Sequence, residues 1–253
     1  MDNTFFSFLL TFLAGFSTMI GALVIFLKKK EHNKIILLSL SFAAGVMITI
    51  SITDLVPESI FLLRDNLNNI STILLCFLGI ILGVIISMLI DYYLPDKPLN
   101  EVKNKSLFKV GLISMIAIIM HNIPEGIVTF IVSNKDIMLG LSICIAIALH
   151  NIPEGISIAV PIYYSTGSKK KAIFYTFLAG LSEPIGAILT GLFLVNYVND
   201  MILGLLFALI AGIMIQISSS KLLPTGNEYN KGYARIFFVI GFIVMLVSLF
   251  MMK

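Results

Sequence analysis

The sequence predicts an all-α fold, a polytopic membrane protein whose eight transmembrane helices form an inverted repeat. Of its 253 residues, 58% are hydrophobic and only 12% are charged, whereas a soluble domain carries about 25% charged residues. Eight apolar segments are each long enough to cross a bilayer, which takes about 20 residues. Spans 1–3 also correspond to spans 6–8, which lie on the other side of spans 4–5 in the sequence.

The eight predicted spans are joined by short connections, so residues 1–253 are predicted to form a single transmembrane domain. The predicted spans are residues 4–27, 34–57, 70–94, 108–132, 137–162, 171–197, 201–222 and 233–251. Lysines follow the first span and do not precede it, which favours a retained helix over a secretory signal. Cys76 and Cys144 lie in apolar runs, where a free thiol behaves as a small hydrophobe.

The basic residues predict the orientation, because cytoplasmic loops are enriched in lysine and arginine. Of the 17 basic residues, 14 fall in the loops after spans 1, 3, 5 and 7, including the run Lys169–Lys171. Arg64, Lys135 and Lys253 fall on the other side. Both termini are therefore expected outside the cytoplasm. Topology accounts for these charges, so they indicate no nucleic-acid partner.

Two pairs of segments carry the internal repeat. Residues 12–22 read FLAGFSTMIGA and residues 177–187 read FLAGLSEPIGA, with eight of eleven positions identical. Residues 44–57 and 211–224 are identical at more than half of their positions. Spans 1 and 6 cross in opposite directions, so the repeat is inverted, and inverted repeats with midplane sites are typical of secondary transporters. Membrane helices rich in small residues can resemble one another by chance. Chance does not explain two matching pairs of segments that occur in the same order in both halves of the chain.

One heptad, HNIPEGI, occurs at residues 121–127 and again at residues 150–156. A charge at bilayer depth costs roughly 2.5–3.5 kcal/mol on insertion scales, so two identical copies need a physical reason. In a helix, His121 and Glu125 are four apart and Asn122 and Glu125 three apart, which places them on one face. The candidate metal ligands are therefore His121, Asn122, Glu125, His150, Asn151 and Glu154.

A proline lies inside each heptad. Pro124 and Pro153 each lack a backbone N–H and clash with the carbonyl four residues back, so an interruption of the helix is expected at both motifs. Interrupted membrane helices are tolerated where the freed groups line a cavity. As an alternative to metal binding, Asn122 and Asn151 would cap these interrupted turns.

The residue types favour a transition metal. Imidazole with carboxylate suits Zn, Fe, Mn, Co or Ni, whereas Mg and Ca prefer oxygen-only sites. A third mid-span acid, Glu183, has Thr18 as its repeat counterpart. The three glutamates carry a charge of −3, which one divalent ion lowers to −1 and two ions turn into +1, so one or two metals fit. The alternatives are hydrogen-bonded core histidines and a protonated Glu183.

Acidic residues also lie at the outer end of span 2. Asp54 and Glu58 either mark the water interface or form an outer mouth that attracts cations. His32 lies among lysines in a cytoplasmic loop, and we expect it to be simply solvated.

These motifs resemble the ZIP (Zrt-, Irt-like protein) family of divalent metal transporters, and most closely its bacterial zinc-uptake branch. The resemblance covers essentially the whole chain, and the doubled HNIPEG is highly specific. It implies uptake of Zn²⁺, and also of Fe²⁺, Mn²⁺, Co²⁺ or Cd²⁺, across the plasma membrane into the cytoplasm. The partners implied are divalent metal ions and the lipid bilayer, with no cofactor beyond the transported ion, and a homodimer is left open.

The resemblance also implies a binuclear centre. His121, Glu125, His150 and Glu154 would bind one ion, and Asn122, Asn151 and Glu183 would bind the second while sharing both motif glutamates. Spans 1, 4, 5 and 6 would move against the other four.

The chain departs from the family pattern in two places. Residues 95–107, between spans 3 and 4, contain no histidine, so no metal-sensing loop is expected. Ser220 and Lys221 stand where acids are expected at the inner end of span 7, whereas Asp54 keeps its acid in the mirrored span 2. The cytoplasmic exit is thus expected to be less acidic than in the family.

The sequence argues against two other classes of function. An intramembrane metalloprotease needs HExxH, in which the glutamate beside the first histidine is the base, but here asparagine follows each histidine. A proton-coupled divalent cation exporter can also use a histidine and an acid four residues apart, although eight spans and a proline inside the motif are not expected of it. Metal gain or metal loss by expressing cells separates importer from exporter.

Overall fold

A computed structural model describes residues 3–27, 32–65, 67–94, 102–194 and 199–252, and within these ranges it contains helices and no strand. Eight of its helices are long and apolar enough to cross a membrane, which confirms the predicted fold class. These spans, numbered 1 to 8, are Thr4–Phe26, His32–Arg64, Asn69–Tyr93, Lys105–Lys135, Ile137–Thr166, Lys169–Phe193, Asp200–Tyr229 and Lys231–Met251. Several residues used to predict the topology lie outside the described residues: Lys28, Lys29, Lys30, Lys97 and Lys253, together with the end of span 6 at residue 197.

Polar residues define the span ends. Side-chain oxygens of Asn68, Asn104, Ser168 and Asn199 accept hydrogen bonds from the first turns of spans 3, 4, 6 and 7, as N-cap residues do. Asp136 alone separates spans 4 and 5, and its carboxylate caps the backbone N–H groups of Met138 and Leu139. These signals explain why the connections around the central pair of spans are so short.

Spans 2 and 7 are longer than predicted. Their ends were predicted at residues 57 and 222, but the helices continue to Arg64 and Tyr229. In each, a π-helical turn, Ser51–Leu55 or Ser218–Leu222, is followed by a proline, Pro57 or Pro224. A proline in the first turn after such a change of pitch has no i−4 hydrogen bond to lose, so the helix continues.

The predicted interruptions at Pro124 and Pro153 are wrong. Both prolines lie inside continuous α-helices, Lys105–Lys135 and Ile137–Thr166. Neighbouring helices packed closely around a membrane helix let it accommodate a proline without breaking. Both prolines are buried among such neighbours, so the two heptads keep helical geometry throughout.

The inverted repeat is visible in the packing. Span 1 packs on span 5 and span 6 on span 4, while span 8 packs on span 2 and span 3 on span 7. Close backbone approaches at glycine are reciprocal: Gly126 lies against the carbonyl of Glu183, and its counterpart Gly155 lies against the carbonyl of Thr18. A Cβ at either glycine would collide with main chain, so these contacts fix spans 1 and 6 against the motifs.

Spans 3 and 8 form the outside of the bundle. Within their most apolar windows only 22% and 17% of the residues are buried, against 56% and 61% in spans 4 and 5. Their exposed side chains are large and apolar, for example Phe77 and Ile243. Such a surface suits lipid rather than water, which leaves spans 4 and 5 as the interior in which polar residues can be enclosed.

Candidate metal centre

The two HNIPEGI motifs meet between spans 4 and 5. The imidazole centroids of His121 and His150 lie 6.0 Å apart. Oε1 of Glu125 lies 3.2 Å from Nε2 of His121 and 3.1 Å from Nε2 of His150. Ligand atoms from these three residues all fall within 4.8 Å of one another. One cation placed among them can therefore contact all three side chains.

Glu154 completes the group from the second motif. Its Oε1 lies 3.4 Å from Nε2 of His121, so each histidine contacts the glutamate of the other copy. His121 and Glu154 are fully buried, and Glu125 and His150 are 7% and 3% exposed. Four groups that suit a transition metal are thus enclosed at one place.

Asn122 and Asn151 reach sideways into spans 6 and 1. Nδ2 of Asn122 donates to the carbonyl of Ala179 over 3.4 Å, and Nδ2 of Asn151 donates to the carbonyl of Ala14 over 3.0 Å. Asn151 also donates to Oε1 of Glu183, which brings this third acid beside the second motif. The capping alternative is wrong, because capping uses the amide oxygen, and neither amide oxygen has a hydrogen-bond partner among the described residues.

Unpaired acceptors converge on this centre. In the described part of the chain, several buried oxygens here have no hydrogen-bond partner. They are Oδ1 of Asn122 and Asn151, Oε2 of Glu125 and Glu183, and both carboxylate oxygens of Glu154. Leaving a buried polar atom unpaired costs about 1–3 kcal/mol, and more when it is charged. Divalent cations bound among these atoms would give them partners and would reduce or offset the charge of the buried carboxylates.

A cavity of about 320 Å³ leads to the centre from one end of the bundle. Asp54 and Glu58 line its wall, and Glu125 and His150 also line it. The apolar part of the wall includes Phe207 and Leu249. The acids at the end of span 2 therefore lie on the approach to the motif residues, as expected of a mouth that attracts cations.

The opposite end is closed. Three residues of span 5 line the open cavity. The repeat that relates the two motifs pairs each of them with a residue of span 4: Ile143 with Ser114, Ala146 with Ala117, and Ile147 with Ile118. Ser114 and Ile118 are fully buried and Ala117 is 2% exposed. Further core residues seal the same end: Leu40, Val110, Ile113 and Leu222. The structure is thus open to the centre from one side, while the equivalent route on the other side is packed shut.

Asp54→Asn is expected to raise the metal concentration needed for half-maximal uptake severalfold at low ionic strength, with little change in the maximal rate. The physical reason is the loss of a charge that attracts cations into the mouth, an effect that salt screens. Initial uptake rates measured across metal concentrations at low and high salt check this. Asp65→Asn, an exposed acid outside the cavity, is the control. An unchanged concentration dependence would show that Asp54 only marks the water interface.

Sequence reasoning did not find the apolar wall of the cavity or the carbonyl partners of the two asparagines. Ala14 and Ala179 accept the asparagine hydrogen bonds at equivalent positions of spans 1 and 6. They lie inside the repeated FLAG segments, so the repeat could have identified them as a matched pair. Phe207 and Leu249 carry no signal of their own in the sequence.

An eight-span helical bundle with an inverted repeat and buried ligands between its halves has the architecture of a secondary transporter. Residues 96–249 match the family model described as ZIP zinc transporter. The chain belongs to the ZIP family, as its motifs indicated. ZIP proteins are transporters, so the chain is a multi-pass membrane transporter and not an enzyme, and metal is its cargo.

Relatives of known name align along the whole chain. A protein of Oceanobacillus iheyensis named Zinc transporter ZupT is 40% identical over 100% of both chains. The protein of the same name from Streptococcus mutans is 42% identical over 98% of both, and that from Campylobacter jejuni is 37% identical over 98% of this chain and 97% of its own. The similarity to bacterial zinc transporters of the ZIP family is therefore confirmed along the full length of the chain.

Proposed function

We propose that this chain carries Zn²⁺, and other divalent first-row ions such as Fe²⁺, Mn²⁺ and Co²⁺ as well as Cd²⁺, across the plasma membrane into the cytoplasm. The observation that carries the proposal is the enclosed group of His121, Glu125 and His150 at the inner end of an acid-lined cavity. The names of the relatives, which are zinc transporters, support zinc as the principal cargo.

The proposed centre is binuclear. His121, Glu125, His150 and Glu154 bind the first ion. Glu183, held by Asn151, binds the second ion together with both asparagine oxygens and the two shared glutamates. Two divalent ions outweigh the three carboxylates by one charge, and Glu125 and His150 remain slightly exposed. The unpaired oxygens on Glu125, Glu154 and Glu183 support this division.

Transport requires the protein to alternate between a state open at one end and a state open at the other end. Because the halves are inverted copies, a second state related by the repeat would close the cavity beside Asp54 and open the buried route beside Ser114 and Ile118. Such alternating access around a fixed midplane site is how inverted-repeat transporters work. Movement of spans 1, 4, 5 and 6 against the others would expose the centre first to one side and then to the other.

Selectivity is the experiment that tests the proposed function. Purified protein in liposomes should take up labelled zinc, and excess Fe²⁺, Mn²⁺, Co²⁺ or Cd²⁺ should reduce that uptake while Mg²⁺ and Ca²⁺ should not, because the ligand set includes imidazole. Zinc uptake that Mg²⁺ blocks but first-row ions leave unchanged would overturn the proposal. Net loss of metal from expressing cells would indicate the exporter instead.

Orientation is part of the same proposal. The asymmetry of basic residues supports an orientation with position 170 in the cytoplasm, position 199 outside, and both termini outside. Single cysteines at these two positions, in a background that lacks Cys76 and Cys144, should respond differently to an impermeant thiol reagent added to intact cells. We expect labelling at 199 and not at 170. The reverse pattern would invert the topology and the direction of uptake.

A further inference from the structure

The closed end of the bundle carries a network of charged side chains that joins three spans. Asp91, in span 3, accepts a hydrogen bond of 2.6 Å from Nζ of Lys221 in span 7. The other carboxylate oxygen of Asp91 lies 3.3 Å from Nζ of Lys109 in span 4. Asp91 therefore connects three spans at the closed end, with 31% of its side chain exposed.

The repeat shows how unequal the two ends are. Gly83 of span 3 lies against the carbonyl of Leu209, and Gly241 of span 8 lies against the carbonyl of Phe42. Leu209 and Phe42 are repeat counterparts in spans 7 and 2, so Gly83 and Gly241 are counterparts as well. The same shift equates Asp91 with Leu249. At the open end, the counterparts of Asp91, Lys221 and Lys109 are Leu249, Asp54 and Met138, a set that cannot form an ion-pair network. Leu249 and Asp54 both line the open cavity.

Lys109 is the member of the network that links the two groups of spans. Span 3 packs extensively on span 7 but touches span 4 at few places. Asp91 and Lys221 therefore belong to the group of spans 2, 3, 7 and 8, and Lys109 belongs to the group of spans 1, 4, 5 and 6. Opening the closed end by moving span 4 away would separate Lys109 from Asp91. The network therefore opposes opening at this end. Its repeat counterparts at the other end, Leu249, Asp54 and Met138, cannot form the same network.

We propose that Lys109, Asp91 and Lys221 form an ion-pair gate that holds the cytoplasmic end closed and sets the balance between the two access states. Lys221 orients the Asp91 carboxylate, and the Asp91 contact with Lys109 breaks when the exit opens. The gate explains why a lysine stands at the repeat position of Asp54: an acid at 221 would repel Asp91 and remove the ion pairs that favour the closed exit. This inference rests on the proposed transport cycle, but its test needs no transport.

Paired cysteine probes test the gate. Ser114→Cys reports the closed route and Ile143→Cys, at the equivalent position of the other motif span, reports the open cavity, each in a background without Cys76 and Cys144. Labelling by a small methanethiosulfonate is measured on purified protein without metal. Asp91→Asn and Lys221→Met should raise labelling at 114 about two- to fivefold, the range that partly exposed ion pairs supply. Labelling at 143 should fall.

Matched variants separate a gate from loss of structure. Lys221→Arg keeps the charge and should leave both labelling rates unchanged, as should Lys103→Met, an exposed lysine at the same end of the bundle. If Asp91→Asn does not fold, the comparison of Lys221→Met with Lys221→Arg tests the gate, because only Lys221→Met should change the labelling rates. Rates that rise together at both probes, or that do not change, overturn the gate. If the unmodified protein took up no zinc but labelling at 114 still rose and labelling at 143 still fell in the variants, the proposed cargo would be wrong. The ion-pair gate would still be supported.

Discussion

Glu125→Gln is expected to reduce zinc uptake by about 100-fold or more, since the loss of even a supporting partner of a metal ligand costs 10–100-fold. Oε1 of Glu125 is the atom that lies near Nε2 of both His121 and His150. Glutamine preserves the size of the side chain but removes the charge shared by the two proposed ions. The variant should therefore lose both metals and nearly all uptake.

Glu154→Gln should have the same effect, because Glu154 is the repeat counterpart of Glu125 and contacts His121 from the second motif. The measurements are zinc per protomer in purified protein and initial uptake in liposomes. Glu228→Gln, an exposed acid at the end of span 7, is the control and should behave as the unmodified protein does. Full uptake by either motif variant would remove that glutamate from the proposed transport site.

Glu183→Gln is expected to lower the bound metal from two ions to one and to reduce transport roughly tenfold without abolishing it, the milder end of the range for lost metal partners. Glu183 contacts Asn151 and is not among the residues whose ligand atoms cluster with the histidines. Its substitution should therefore weaken the second ion and leave the first in place. A changed preference among first-row metals should accompany the loss.

The repeat provides the matched control for Glu183. Thr18 occupies the equivalent position in span 1, is fully buried, and its hydroxyl has no hydrogen-bond partner among the described residues. Thr18→Val keeps the shape and should leave both the bound metal and the uptake unchanged. If Glu183→Gln removed both ions while Glu125→Gln removed neither, the assignment of ligands to the two ions would be wrong.

Most of the architecture could be predicted from hydropathy, because a bilayer imposes span length and helical structure directly. The errors fell where backbone detail decides. Spans 2 and 7 were predicted to end at residues 57 and 222, but both helices continue through Pro57 and Pro224, which follow π-helical turns. Pro124 and Pro153 were expected to interrupt their helices, yet close packing holds both helices continuous.

The candidate site could be predicted for a different reason: charged residues are expensive at bilayer depth, so the few that occur there stand out. Residue spacing alone placed His121 and Glu125 on one helix face. It could not show that each histidine contacts the other motif's glutamate, because that depends on how spans 4 and 5 pack. The ion pairs of Asp91 were also invisible, since they join residues distant in sequence.

The central claim is that the doubled motif holds the transported metal, and anomalous diffraction from zinc-loaded crystals tests it most directly. The expected result is a strong zinc peak about 2.0–2.1 Å from Nε2 of both His121 and His150, with a second peak beside Glu183. In crystals of the Glu125→Gln variant both peaks should be lost. Zinc bound only at surface sites such as His32, with no density between the two motifs, would contradict the claim.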